Sequence, residues 1–222
     1  NNEKNWDEMF AFWNGVYDRN VDSRVNKGGP GSVQSSRDSE FGTSFKEESI
    51  SALLAGQVAF ETHSQGNLTD AELSAELQTQ FDRFNRANLA TFAQATLKYS
   101  LNYAKGGLDS LSRDKNWGEG YTYFRCGAGL MDPAIAAFIN SLLDPRDKDV
   151  TDVTPKEVHC QIVNKMLEEA DIGYGLTLSN LNVEEYLPNI RTDCGIDSNV
   201  ILVDPNAGGD SGGDSDCDVA GD

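Results

Sequence analysis

Two histidines in 222 residues, His63 and His159, are too few for a His-rich metal centre. The four cysteines, Cys126, Cys160, Cys194 and Cys217, include no CxxC pair of the kind that zinc sites and dithiol redox motifs use. No apolar run approaches the roughly 18 residues of a membrane span, so direct membrane insertion is not expected. The phrases GxSxG, GxGxxG, HExxH and the Walker loop are absent, which removes the commonest nucleophile, nucleotide and zinc-protease signatures. "THS" at 62–64 and "VHC" at 158–160 set a histidine beside a hydroxyl or thiol, but neighbours on a helix point apart and make no catalytic pair. Basic residues are also scarce: 18 Lys and Arg against 36 Asp and Glu leave a formal charge of −18. Nucleic acid and anionic membranes reward the opposite sign, so cations are the natural partners. The same acidity also serves to keep a secreted or marine protein in solution.

An even cysteine count fits two disulfides, with three possible connectivities. Cys126 with Cys160 and Cys194 with Cys217 is the arrangement favoured at this level. "NLT" at Asn67 to Thr69 would accept an N-glycan in a secretory context. With no initiator Met and no signal peptide at its start, the sequence reads as a mature or excised extracellular segment, the alternative being a cytosolic protein. Residues 204–222, "DPNAGGDSGGDSDCDVAGD", have almost nothing to bury and predict a disordered acidic tail or linker. Their Asp and Gly do not follow the calcium-loop pattern that ends in a bidentate Glu.

What remains is strongly helical. "TDAELSAELQTQFDRFNRANLATFAQATLKYSLNYAKGG" opens with a capping box at Thr69 and Glu72, keeps apolar residues three or four apart from Leu73 to Tyr103, and closes at Gly106-Gly107 as one long helix. Ser44 with Glu47 predicts a second capping box for a helix to about Thr62. Thr154, Pro155 and Glu157 predict a third start. Asp132-Pro133 opens a shorter helix that Asp144-Pro145 ends. Residues 28–38 read as a loop, 183–187 as a turn of helix, and "VILV" at 200–203 as a strand or extended segment.

"EKNWDEMFAFW" at 3–13 nearly repeats as "DKNWGEGYTYF" at 114–124, and the Ser44 and Thr154 caps keep almost the same offset. Two landmarks at matching spacing predict an all-α bundle built from two related halves, an internal repeat of about 110 residues. The halves run over about 1–107 and 108–203, within one helical domain of 1–203 followed by the tail at 204–222.

Within the phrase, Trp6, Phe10, Trp13 and Tyr17 share one helical face, as do Trp117, Tyr121 and Phe124. Glu8 with Phe12, and Glu119 with Tyr123, share another. Aromatics on both faces predict a buried helix, and so a buried Glu in each copy. A buried carboxylate must be paired, protonated or bound to metal. One reading pairs it with Arg125, Arg86 or Lys98. The other lets Glu8 and Glu119 converge on one cation between the halves, with His159, Tyr121 and Tyr123 as further ligands. Hard oxygen donors with at most one or two imidazoles favour Fe(III), Mn or Ca over zinc or copper.

Three stretches, "NWDEMFAFWNG" (5–15), "FAQATLKYSLNYA" (92–104) and "NWGEGYTYFRCGAGLMDPAIAAF" (116–138), resemble the algal iron-assimilation proteins, which are periplasmic or cell-surface proteins induced by low iron or high CO2. The likeness covers roughly residues 3–196 and lies in aromatic and Glu-rich phrases. It implies an extracellular protein that captures Fe(III) for uptake, with a carbonate-type anion completing the coordination and a cell-surface uptake partner. Of the candidate ligands, only Glu8 and Glu119 lie in phrases that carry the resemblance as ligands; His159, Tyr121 and Tyr123 rest on chemistry alone. A structural or cell-surface interaction module without metal is the alternative. A metal-dependent enzyme using the same pocket is a third.

Overall fold

The computed structural model describes residues 2–14, 29–105, 109–144, 153–169 and 171–197. It is all-helical, as the sequence predicts, and among the described residues no strand occurs beyond one isolated bridge between Gly173 and Leu176. The order is α1 (Asn2–Asn14), α2 (Pro30–Phe41), α3 (Phe45–Ser64), α4 (Asp70–Ala104), α5 (Ser110–Gly127), a 3-10 turn (Ala128–Leu130) and α6 (Pro133–Leu143). Then follow α7 (Pro155–Glu168), a second 3-10 turn (Ser179–Leu181), α8 (Val183–Tyr186) and α9 (Ile190–Cys194). Among the described residues no helix is long and apolar enough to cross a membrane.

Local chemistry sets most boundaries. Thr69 Oγ1 accepts from the Glu72 N–H while the Glu72 carboxylate accepts from the Thr69 N–H, and Thr154 with Glu157 makes the same reciprocal box. Asp109 and Asp132 cap α5 and α6 by accepting from backbone N–H groups of the first turn. Proline occupies the first turn of α2, α6 and α7, where its missing N–H costs nothing. The cap expected at Ser44 is not made. The carboxylate of Asp38 instead accepts from the N–H groups of Phe45 and Lys46 and from the Thr43 hydroxyl, so a residue of α2 caps α3 across the intervening turn. The turn itself closes on Gly42 at φ 65.

Residues 30–38, expected within a loop at 28–38, belong to α2. Its buried side holds Gly31, Gln34, Arg37 and Phe41, a helical stripe that is mostly polar and so escapes a hydrophobic pattern. The predicted "VILV" segment and the acidic tail lie outside the described residues.

α4, at 35 residues and about 50 Å, is the spine against which α2, α3, α5 and α7 pack. The larger core gathers Leu89 and Leu97 of α4 with Phe124, Ile135, Ile139, Ile162, Met166 and the Ile172–Ile190 segment. A second, smaller cluster holds α1 on α3 and α4 through Trp6, Trp13, Ala52, Leu53 and Phe84. There Trp6 Nε1 donates to the Leu53 carbonyl at 2.8 Å, and its ring lies over Gly56.

A disulfide joins Cys160 to Cys194, tying α7 to α9. This corrects the expected pairings of Cys126 with Cys160 and of Cys194 with Cys217: Cys160 and Cys194 bond each other, and Cys126 is exposed and free. A sequence carries no information on which thiols meet, whereas the fold brings the α carbons of Cys160 and Cys194 to 5.1 Å.

Candidate functional site

The five residues singled out from sequence fall in separate surroundings. Glu8 is on α1, its side chain 54% exposed and 3.5 Å from the Lys4 ammonium. Glu119 is on α5, 36% exposed, with Lys115 Nζ at 3.9 Å. Neither meets Arg125, Arg86 or Lys98; Arg86 pairs with Glu48 and Lys98 with Glu40. The expectation that both carboxylates lie in a dry seam is therefore overturned. The reason is visible in Phe12, which shares the Glu8 face and is 79% exposed: only the Trp6–Trp13 side of α1 is buried. α1 packs on α2 and α3, whereas α5 packs on α4 and α6.

His159, on α7, is 3% exposed, and its Nδ1 lies 2.8 Å from Ser100 Oγ, which also donates to the Leu97 carbonyl. Burial pushes its pKa down to about 4, against a smaller opposing pull from Asp193, so the ring is neutral at pH 7. This is a core histidine satisfied by a hydroxyl. Tyr121 is half-buried against the main core, its ring 6.4 Å from that of Phe124.

Glu119 and Tyr123, by contrast, are brought together at the crossing of α4 and α5. The face of α5 formed by Trp117, Gly120, Phe124 and Gly127 lies on α4. A β carbon at Gly127 would stand 2.9 Å from the Phe92 β carbon, and one at Gly120 would stand 3.4 Å from that of Tyr99. That close approach aligns two aromatic pairs in antiparallel register, Tyr99 on Tyr123 at 5.3 Å and 10°, and Tyr103 on Trp117 at 6.4 Å. Glu119, one turn before Tyr123, is near enough to the Tyr99 phenol to act on it electrostatically. Burial, reinforced by Glu119 and Tyr123 and partly opposed by Arg37, raises the Tyr99 pKa to about 12.

A cationic flank adjoins the phenols. Lys98 Nζ is 5.5 Å from the Tyr99 ring centroid and 2.6 Å from Glu40 Oε1. Arg37, 6% exposed, donates from Nη2 to Glu40 Oε1 at 3.1 Å. Its Nη1 is 2.9 Å from Glu40 Oε2 but out of line for a hydrogen bond, and its Nε has no partner. Two cations thus share one carboxylate in a protein that is otherwise strongly acidic. On the far side of Glu40, the Tyr186 phenol is also raised, by burial first and Glu40 second.

Among the described residues no group of three or more His, Cys, Asp or Glu side chains is placed to hold a metal ion. A hard-cation site within them would draw on phenols, and Tyr99, Tyr123 and Glu119 are such a donor set. Tyr99, Arg37 and Glu40 were not singled out from sequence. The Tyr99–Tyr103 spacing of four on α4, facing the aromatic phrase of α5, was the available signal.

A second feature is a cleft of about 520 Å³ between α1 and the middle of α4, floored by Trp13 and Phe84 and edged by Glu8 and Phe12. No protein-family model, curated protein or solved structure matches this chain.

Proposed function

We propose that the chain is an extracellular binding protein for ferric iron, taking the ion at the junction of its two halves, where the last helix of the first, α4, crosses the first helix of the second, α5. The observation that carries this reading is the stacked pair Tyr99–Tyr123, with Glu119 one turn from Tyr123 and near enough to raise the Tyr99 phenol. Two phenols and a carboxylate are hard oxygen donors suited to Fe(III). A trivalent ion reverses the local proton balance, because its charge favours the phenolates that burial disfavours. Arg37 and Lys98 then form the side on which a carbonate-type anion would be held. Glu8, His159 and Tyr121 have no part in this site. The succession of aromatic-phrase helix, proline-opened helix and capped helix occurs as α1, α2, α3 and again as α5, α6, α7, which supports the reading of a duplicated unit. The Cys160–Cys194 disulfide fits an oxidising compartment.

The test is titration of the purified chain with Fe(III) as its nitrilotriacetate complex, with and without bicarbonate. A tyrosinate-to-iron absorption band is expected, lost in Tyr99→Phe and Tyr123→Phe and kept in Glu8→Gln. Because the phenols release protons on binding, affinity should rise with pH. At a hundredfold excess over Kd the ion would stabilise the fold by about 2.7 kcal/mol. No band and no thermal upshift in either buffer rejects the proposal. The lysine partners of Glu8 and Glu119 favour the second reading, an interaction module in which both carboxylates are surface charges. A parent chain that binds no iron, with thermal stability unchanged in Glu119→Gln, would support it.

A further inference from the structure

We propose that the cleft between α1 and α4 is a second, independent binding site, for an organic ammonium ion with an apolar body. Its volume of about 520 Å³ is that of a small-molecule pocket, and its walls include the rings of Phe12, Trp13, Phe84 and Phe92. Trp13 and Phe84 meet edge to face at 6.2 Å in its floor. Phe12 projects at its rim, 79% exposed, an arrangement that favours covering by a ligand.

The polar lining defines the charge of the occupant. Asn88, 7% exposed, donates one amide N–H to the Phe84 carbonyl at 2.8 Å, which fixes the orientation of the amide. Asn85, equally buried, donates one amide N–H to the Tyr174 hydroxyl at 3.2 Å. Glu8 adds a carboxylate at the mouth. The lining also offers donors, since the buried Trp13 Nε1–H has no partner and Asn85 and Asn88 each keep a second amide N–H, so the charge preference comes from Glu8 and the rings. A site negative at the rim and lined in part by aromatic rings selects an apolar body that carries positive charge, since a cation gains from both the carboxylate and the rings. The Lys4 ammonium near Glu8 is a weak competitor, because an exposed i,i+4 pair contributes only about 0.3–0.5 kcal/mol.

Calorimetric titration of the full chain with phenethylammonium, 2-phenylethanol and phenylacetate tests the charge requirement on nearly constant skeletons. Phenethylammonium should bind about tenfold more tightly than 2-phenylethanol, and phenylacetate should not bind. Glu8→Gln and Phe12→Ala, both at exposed positions, should weaken the ammonium several-fold without loss of thermal stability. The proposal is overturned if the three compounds bind alike, if none binds at millimolar concentration, or if neither substitution matters. Tyr123→Phe should leave this binding intact while abolishing the iron band, so the two sites can fail separately.

Discussion

Gly56 and Gly118 are both helical glycines, and their surroundings give them opposite consequences. A β carbon at Gly56 would lie 2.2 Å from Cζ2 of Trp6, a rigid ring already fixed by its bond to the Leu53 carbonyl. Around Gly118 there is nothing within 4 Å. Alanine is intrinsically the better helix former by about 1 kcal/mol. At Gly118 that preference is free to act, and Gly118→Ala is expected to stabilise by about 0.5–1 kcal/mol. At Gly56 the ring must leave its seat, and overpacking costs of about 1–3 kcal/mol or more exceed the gain. Gly56→Ala should therefore destabilise, with Trp6 fluorescence shifting to the red. Urea denaturation of the two variants beside the parent checks both signs.

Among the elements, those whose ends are set by neighbours in sequence were legible in it. Thr69, Asp132 and Thr154 mark helix starts by bonds spanning two or three residues, and the observed α4, α6 and α7 begin where these residues put them. α2 was not legible, because "PGSVQSSRDSEF" is rich in serine and its buried stripe runs through Gln34 and Arg37. Its stability comes from contacts distant in sequence, among them Gln34 with Ser49 and Glu40 with Lys98. The candidate metal site divides in the same way. Glu119 and Tyr123 stand out in a repeated phrase, while their partner Tyr99 is one aromatic among several on a long helix until packing selects it. Glu8 misled because Phe12 was counted as core. The α7–α9 disulfide is an element-scale constraint: it closes a 34-residue separation, for which loop entropy gives roughly 3–4 kcal/mol. Reduction, or a paired Cys160→Ser and Cys194→Ser change, is expected to lower stability by that order in urea melts. Cys126→Ser should do nothing comparable.

For the molecule as a whole, acidification sets two effects against each other. With a charge of −18, the native state repels itself at neutral pH, and protonating carboxylates relieves this. His159 acts in the other direction. Its pKa is about 4 folded and 6.5 by ordinary value, so between those limits the unfolded chain takes up a proton that the folded chain refuses. Stability on this account is full above pH 6.5 and falls as pH drops towards 4, by up to about 3 kcal/mol. Below that range the capping carboxylates of Glu72, Glu157 and Asp109, held under their ordinary pKa by backbone N–H donors, add to the loss as they protonate. A urea midpoint that declines from pH 7 to pH 4.5 in the parent, and declines less in His159→Gln, is the expected result. An equal slope in both would remove His159 from the account.

The separation of the core into a large cluster on α4 and a small one under α1 means that the protein need not open all at once. The amino-terminal helix can lift away while the rest stays folded, since it rests on its own few aromatic contacts. Such a partial opening would dissolve the cleft between α1 and α4, half of whose lining α1 carries, and leave the tyrosine pair at the α4–α5 crossing undisturbed. The two proposed sites would then exchange with solvent on different timescales.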